Sequence, residues 1–330
     1  MLQTWILGRK RLELREVPVP KPEPGEVVIR VEAATTCGTD LKLYRRGHHP
    51  KIPIPGPFGH EYTGTVVDIG EGVELFKPGD PVIGVNTGPC QACSFCRRGL
   101  WNHCETLFDE MVIGTYAEFV KIPARVVQTN LHLRPSGVSP IVAPMVEPLA
   151  SVLHGMRRLS PKPHERGMVI GSGTLGILFS LLLQNLGVEV VLVGRNPRKN
   201  RWAQEIGVQQ VIETPPKNSE FDFVIECTGN PEVWSRALSW TRPGGRVLLF
   251  GGLPKNVQIP WDAHDLHYGE RVLIGTFHFT PQEVQHAVHL IASQSLPFER
   301  LITRTYPLTR VVEAFEALDR GEGLKFVIQP

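Results

Sequence analysis

The sequence predicts an α/β protein with two domains, one rich in short β-strands and one built on a doubly wound parallel sheet. The chain has 330 residues, which is more than one ordinary hydrophobic core holds. Short β-branched segments broken by glycine and proline fill roughly the first 140 residues. After them, apolar segments alternate with helical ones, which is typical of a parallel sheet covered on both faces.

The pattern predicts individual elements in chain order. In the first region, 25–34 and 64–84 favour strands, and the prolines of 50–57 favour a loop because proline cannot donate to a strand ladder. The later region favours strands at 168–170, 188–194, 221–229, 244–252 and 270–277, with helices ending at Gly187 and covering 200–207 and 231–241. The tail favours helices at 280–294 and 309–323 and a last strand at 324–328.

Composition and charge exclude several classes of protein. Lys and Arg number 35 against 33 Asp and Glu, so no basic surface for nucleic acid is expected. The longest apolar run, 177–183, is too short for a membrane span, and the N-terminus lacks the apolar core of a signal peptide. We therefore expect a cytoplasmic protein without membrane or nucleic-acid partners, whose six cysteines are metal ligands or free thiols.

A glycine turn opens the predicted parallel sheet. Residues 171–176 fit G-x-G-x-x-G between a strand and a helix, which is the context that dinucleotide binding requires. The first glycine allows the tight turn, the second lets a diphosphate approach, and the third lets helix and strand pack closely. The alternative is a glycine turn in a domain that binds no cofactor. The candidate cofactor residues here are Gly171, Gly173, Thr174, Leu175 and Gly176.

The end of the next strand favours NADP over NAD. NAD sites place an acid there for the ribose hydroxyl, but this chain has Gly194, and no carboxylate lies between Glu189 and Glu205. Arg195 follows at once, and guanidinium groups can hold a 2′-phosphate. The alternative is that the basic residues of 195–199 are solvated and NAD binds.

Four cysteines have the spacing of a metal centre. Cys90, Cys93, Cys96 and Cys104 form C-x2-C-x2-C-x7-C, which can wrap a tetrahedral ion. Such a closed site holds structure and leaves no position for chemistry. We predict a structural zinc; an iron–sulfur cluster also accepts four thiolates, and two disulfides would fit a cytoplasmic chain poorly.

A second set of candidate ligands is scattered along the chain. Cys37, His60, Glu61 and Glu147 offer a thiolate, an imidazole and carboxylates, which suit a catalytic zinc with an open position. By spacing alone, a buried thiol and a His-Glu pair of the surface or core are the simpler interpretations.

The motifs CGTD, GHEYTGTVV, the four-cysteine segment, VEPLA and GSGTLG occur in this order, and together they resemble the zinc-dependent medium-chain alcohol dehydrogenases. The likeness is greatest to the polyol and threonine dehydrogenase branch. It implies a GroES-like β-barrel catalytic domain, 1–146 and 284–330, with a structural zinc lobe at 88–106. It also implies an inserted Rossmann dinucleotide-binding domain at 147–283.

The resemblance also implies roles for single residues. Asp40 would orient His60, and Thr39 would bind the substrate alcohol. Glu61 would bind zinc in some states and lie near it in others, and Glu147 would bind zinc directly or through water. Lys42 stands where relatives carry a relay histidine, so it either relays the proton or is a loop charge, in which case the proton leaves through His48, His49 or water. The remaining expected cofactor residues are Cys227, Thr228, Gly251 and Lys325; the alternative for Lys325 is a solvated lysine.

The expected activity is the reversible oxidation of a secondary alcohol, polyol, sugar or hydroxy amino acid with NAD(P), supported by two zinc ions per chain. A zinc-free quinone or enoyl reductase and a non-enzymatic protein that binds nucleotide or zinc are the alternatives. The strand at 270–277 could pair with its copy, so a homodimer or homotetramer is expected.

Overall fold

The structure is a computed structural model that describes residues 1–49, 51–217 and 221–330. It forms two compact units: unit 1 is Met1–Ala150 with Phe279–Pro330, and unit 2 is Ser151–His278. The sequence places the domain junctions at 146/147 and 283/284, and this assignment of the domains stays a prediction.

The helices and strands are numbered here in chain order. The strands are β1 (Leu2–Gly8), β2 (Arg11–Glu16), β3 (Val27–Thr35), β4 (Gly56–Pro57), β5 (Tyr62–Ile69), β6 (Pro81–Gly84), β7 (Phe119–Ile122), β8 (Leu131–Leu133), β9 (Arg166–Ile170), β10 (Glu189–Val193), β11 (Gln210–Ile212), β12 (Phe221–Glu226), β13 (Thr241–Leu249), β14 (Val272–Gly275), β15 (Ile302–Pro307) and β16 (Lys325–Gln329). The α-helices are α1 (Gly38–Arg46), α2 (Ser94–Arg97), α3 (Ala124–Thr129), α4 (Val146–Leu159), α5 (Thr174–Asn185), α6 (Pro197–Ile206), α7 (Pro231–Arg236), α8 (Ala263–Tyr268), α9 (Pro281–Ser293), α10 (Phe298–Leu301) and α11 (Val311–Asp319).

Unit 1 is built on two sheets. One has the order β2-β1-β4, and the other has the order β15-β16-β3-β5-β6-β8, with β7 also paired to β3. Aromatic side chains fill its core: the Phe315 ring lies 4.9 Å from Phe58 and 5.6 Å from Tyr116 between centroids. Because β16 comes from the end of the chain and pairs with β3, distant segments meet in this core.

Unit 2 contains a six-stranded parallel sheet in the order β11-β10-β9-β12-β13-β14. Its central strand β9 is buried at Met168 and Val169, as expected for strands covered on both faces. The strand order reverses beside β9, and in such sheets ligands bind at the carboxyl ends next to this reversal.

Several elements differ from the sequence prediction, among them α1, β4 and β11. The first region is not all β, because α1 follows β3 directly and begins beside Cys37. The predicted loop at 50–57 ends in β4, whose Gly56 and Pro57 pair with β1; Pro50 lies outside the described residues. The strand β11 is an addition, and it extends the parallel sheet by pairing with β10.

None of the helices in 1–49, 51–217 and 221–330 combines the length and the apolar character that crossing a membrane demands.

Candidate active site

Cys37 occupies the N-cap position of α1. Its backbone is extended, with φ −114° and ψ 152°, and its sulfur accepts the backbone N–H of Thr39 at 3.4 Å. This bond supplies one of the acceptors that the first turn of a helix needs. The thiol is therefore fixed where β3 ends and α1 begins.

The structure brings three of the four scattered candidates together in unit 1. The ligand atoms of Cys37, His60 and Glu61 all lie within 4.8 Å of one another. Glu147, in the first turn of α4, is not in that group but is only 8% exposed. Burial, reinforced by the neighbouring Glu61 carboxylate, raises the pKa of Glu147 to about 7, although His60 and Lys325 oppose this shift.

His60 is oriented by Asp40. The Nδ1 atom of His60 lies 2.9 Å from Oδ1 of Asp40, and both side chains are buried. Burial works against the imidazolium form, yet Asp40 and Cys37 raise the pKa of His60 well above its usual value. Since Nδ1 is occupied by this bond, Nε2 is the nitrogen left for a ligand.

Glu61 is held by a buried lysine that the sequence analysis assigned elsewhere. Oε2 of Glu61 lies 2.5 Å from Nζ of Lys325 and also accepts the hydroxyl of Thr35. Nζ of Lys325 donates a second bond to the carbonyl of Thr36 at 2.9 Å. Lys325 is 2% exposed, so the alternative of a solvated lysine is wrong. Its contact with a cofactor stays a prediction.

The second carboxylate oxygen of Glu61, Oε1, differs from Oε2 in its hydrogen bonding. Among the described residues, the buried Oε1 atom has no hydrogen-bond partner. A buried carboxylate oxygen without a partner is costly, and a metal ion would satisfy it. A thiol, an imidazole and a carboxylate oxygen within 4.8 Å of one another form a donor set that suits zinc.

Thr39 and Lys42 lie on α1 with exposed side chains. Thr39 is two residues beyond Cys37 and donates its backbone N–H to the Cys37 sulfur. The expected roles of Thr39 in substrate binding and of Lys42 in proton relay stay predictions.

The four clustered cysteines also converge. The sulfur atoms of Cys90, Cys93, Cys96 and Cys104 lie within 4.8 Å of one another, and all are free thiols, so the disulfide alternative is wrong. Backbone N–H groups point at these sulfurs: Cys93 donates to Cys90 and Cys90 to Cys104, each at 3.3 Å. Backbone N–H groups of Ala92 and Cys93 lower the pKa of Cys90 to about 6, which favours the thiolate that a metal needs.

The glycine turn of unit 2 borders a cleft of about 470 Å³ at the carboxyl ends of the parallel strands. Gly171 and Gly173 line it, and Gly171 has φ +121°, which favours glycine. A side chain on Gly176 would lie 1.9 Å from the carbonyl oxygen of Gly171, so the turn closes tightly onto α5. Thr174 and Leu175, in the first turn of α5, are half-buried and do not line the cleft.

Gly194 stands at the end of β10, where a side chain would force neighbouring side chains to move. A Cβ atom there would lie 2.1 Å from Oγ of Ser172 and 2.2 Å from Oδ1 of Asn200. Arg195 comes next and lines the cleft with Lys199. The missing acid at position 194 thus has a packing reason.

Sequence reasoning missed charged groups on the remaining wall of this cleft. Glu213 follows β11, and Glu232 and Arg236 lie on α7. The strand β11 was not predicted, so the position of Glu213 directly after this strand could not be predicted either. The cleft therefore presents both cations and acids to a ligand.

Cys227 and Thr228 also line the cleft, where β12 ends. The buried carboxylate of Glu226 accepts the backbone N–H groups of Thr228 at 2.7 Å and Gly229 at 3.1 Å. Gly251 does not line the cleft: it packs against Gly229, and a Cβ on it would lie 2.2 Å from the Gly229 nitrogen.

Comparisons with known families match both units. Residues 23–130 match the family described as alcohol dehydrogenase GroES-like domain, and residues 174–293 match the family described as zinc-binding dehydrogenase. These matches confirm the predicted fold class, a GroES-like region with an inserted doubly wound domain.

Similar proteins cover nearly the whole chain. D-altritol 5-dehydrogenase of Agrobacterium fabrum is 30% identical over 326 residues, which cover 94% of either protein. L-threonine 3-dehydrogenase of Pyrococcus horikoshii is 30% identical over 334 residues, covering 96% of this chain and 94% of that one. A Sinorhizobium meliloti 1021 structure, described as a zinc-binding dehydrogenase bound to NADP, has a TM-score of 0.90 with 26% identity and covers 100% and 99% of the two chains. The likeness to the polyol and threonine dehydrogenase branch is confirmed.

Proposed function

Because this chain belongs to the zinc-binding medium-chain alcohol dehydrogenase family, we propose that it oxidises a polyol, sugar or hydroxy amino acid at a secondary alcohol. The enzyme is an NAD(P)-linked oxidoreductase that acts on alcohols, as its full-length relatives are. The substrate class is inferred from the names of those relatives. The observation that carries the proposal is the convergence of Cys37, His60 and Glu61 within 4.8 Å.

The chain holds two zinc ions in this proposal, one at each group of converging ligands. Cys90, Cys93, Cys96 and Cys104 hold the structural ion. Cys37 and His60 hold the catalytic ion, Glu61 binds it in some states, and Glu147 binds it directly or through water. Oε1 of Glu61 has no hydrogen-bond partner within the described part of the chain, which supports the place of Glu61 in this set of ligands.

The residues around the catalytic site orient the metal ligands and transfer the proton of the substrate in this proposal. Zinc, when bound, supplies a Lewis acid that favours the alkoxide form of an alcohol near neutral pH. Asp40 keeps the His60 ring in place, and Lys325 holds Glu61 through Oε2. Thr39, exposed beside Cys37, is proposed to take the hydroxyl proton, with Lys42 or water carrying it onward.

The cofactor in this proposal is NADP rather than NAD. Two features support it: a side chain at position 194 would collide with Ser172 and Asn200, and Arg195, whose guanidinium could hold a 2′-phosphate, lines the cleft that holds the glycine turn. NADP, when bound, would supply the hydride acceptor for the oxidation of the alcohol. Gly171, Gly173, Cys227 and Thr228 are proposed to contact it along the cleft, and Lys325 stays a proposed diphosphate ligand.

The test is a panel of polyols, sugars and hydroxy amino acids, each assayed with NAD and with NADP by nicotinamide absorbance, on protein of known metal content. We expect near two zinc ions per chain and turnover of at least one polyhydroxy substrate. One zinc per chain with reduction of a quinone or enoyl substrate would instead support the zinc-free reductase. One zinc without any turnover would support the non-enzymatic protein.

Assembly and location belong to the same proposal. The exposed edge strand β14 could pair with its copy, so a homodimer or homotetramer is proposed. The cytoplasmic location stays an expectation from cysteine usage.

A further inference from the structure

Behind Asp40 lies a second buried group that the sequence analysis did not single out. The hydroxyl of Tyr116 lies 2.6 Å from Oδ2 of Asp40 and 3.0 Å from the carbonyl oxygen of Thr35. A hydroxyl carries one hydrogen, and the shorter contact goes to the charged acceptor, so we assign the proton to the bond with Asp40. The other oxygen of Asp40 faces His60 at 2.9 Å.

The ring of Tyr116 has little freedom to move. It is fully buried and packs edge-on against Phe58 and Phe315, with centroid distances of 5.4 and 5.6 Å. The backbone of Tyr116 is tied as well, because its N–H donates to the carbonyl of Phe58 and its carbonyl accepts from Thr4. A ring fixed in this way presents its hydroxyl at one point.

We propose that Tyr116 is a positioning residue for the metal centre, which acts by fixing the Asp40 carboxylate that orients the His60 ring. This inference rests on the proposed function, since it assumes a zinc ion at Cys37 and His60. The three side chains form one line of hydrogen bonds, in which the tyrosine anchors one oxygen of Asp40 and the histidine uses the other.

Loss of the hydroxyl should loosen the metal. In Tyr116→Phe, Oδ2 of Asp40 becomes a buried carboxylate oxygen without its donor, and the carboxylate then gains freedom to turn from His60. Loss of a residue that is hydrogen-bonded to a metal ligand, as Asp40 is to His60, weakens metal binding by about 10–100-fold. Tyr116 contacts Asp40 rather than the ligand, so we expect its loss to weaken zinc binding by about tenfold.

Tyr62 provides a matched control. It is also fully buried in unit 1, but its hydroxyl donates to the carbonyl of Val85 at 3.2 Å and has no bond to Asp40. Tyr62→Phe removes the same atom from the same kind of environment. A general loss of packing or stability would appear in both variants.

The experiment is a competition for zinc between the full-length holoenzyme and a chromophoric chelator. Cys37→Ser identifies which zinc class belongs to the catalytic site. Tyr116→Phe should raise the dissociation constant of that class about tenfold. It should leave the four-cysteine class unchanged, and Tyr62→Phe should change neither class more than about twofold. An equal effect in both tyrosine variants, or none in Tyr116→Phe, overturns the proposal.

Two further arms keep the result interpretable. In an Asp40→Asn background, Tyr116→Phe should add little, because the step that it controls is already broken; full additivity overturns the proposed route through Asp40. If Cys37→Ser retains both zinc ions, the proposed function fails and this inference fails with it. If Cys37→Ser loses one zinc but Tyr116→Phe binds zinc like the wild type, only the role of Tyr116 is refuted.

Discussion

The buried ion pair between Lys325 and Glu61 offers a quantitative test of how the active site is held together. The side chains are 3% and 0% exposed, and Nζ lies 2.5 Å from Oε2. Lys325→Met keeps most of the length of the side chain and removes its charge. Glu61 then stays in the interior with Thr35 as its remaining hydrogen-bond donor among the described residues.

The expected loss follows from this burial. Removing one partner of a buried pair typically costs about 3–5 kcal/mol, because the remaining charge has lost both its counterion and its water. For a unit of this size, 1 kcal/mol corresponds to about 2–4 °C in melting temperature, so Lys325→Met should lower Tm by about 6–20 °C. The double variant Lys325→Met with Glu61→Gln should recover more than half of this loss, since no unpaired charge remains.

Calorimetry on protein of fixed zinc content measures these shifts. The matched control is Lys121→Met, which breaks the pair between Lys121 and Glu26 at 2.7 Å, where the lysine side chain is 33% exposed. An ion pair that is this exposed to water contributes less than about 1 kcal/mol to the free energy of unfolding. If Lys325→Met shifts Tm no more than Lys121→Met does, the ion pair does not carry the stability assigned to it here.

Three other predictions concern zinc, cofactor choice and pH. Cys37→Ser should lose one zinc and all turnover while keeping NADP binding, whereas Cys93→Ser should lose one zinc and have a lower Tm. Metal analysis and thermal melts measure both effects. An unchanged kcat in Cys37→Ser would refute the assignment of Cys37 as a ligand of the catalytic zinc. Arg195→Asp should lower the ratio of kcat/KM for NADP over NAD at least tenfold, roughly the loss of one charged hydrogen bond, and an unchanged ratio would rule out the phosphate contact. Burial, with His289 nearby, lowers the pKa of His132, whose Nε2 has no hydrogen-bond partner among the described residues. Below about pH 6.5, His132 therefore binds a proton in the unfolded chain but stays largely neutral in the folded protein. The free energy of unfolding consequently falls as the pH drops below that value. His132→Leu should reduce this fall between pH 7.5 and 5.5 in urea unfolding, and an unaltered pH dependence would contradict the reasoning.

The strands of unit 2 could be predicted because apolar runs and glycine turns are local features. β10 and β12 fall within the predicted segments, and β9 and β13 overlap theirs but begin at Arg166 and Thr241. The helix α1 was missed because a cysteine, rather than the usual Ser, Thr, Asp or Asn, caps it. β11 was missed because only two of its three residues, Val211 and Ile212, are apolar, and so short a run does not stand out.

The candidate ligands could be named from motifs, but their surroundings could not. Lys325 donates to the carbonyl of Thr36 across 289 residues of chain, and no spacing rule links positions so far apart. Tyr116 was not predicted for a related reason, since its role depends on the hydrogen bond from its hydroxyl to Oδ2 of Asp40. Sequence patterns identify the chemistry of single residues, whereas contacts between distant strands decide their partners.

The tight space at Gly194 restricts how this enzyme could change its coenzyme. Ser172, which fills part of that space, belongs to the glycine turn, so a carboxylate introduced at 194 would push directly on the segment proposed to hold the diphosphate. A route to NAD through this position therefore forces Ser172 and Asn200 to move, and a second substitution such as Ser172→Gly would relieve the contact with the serine. Position 195 is open to single steps, and adaptation to a different nicotinamide pool would begin there.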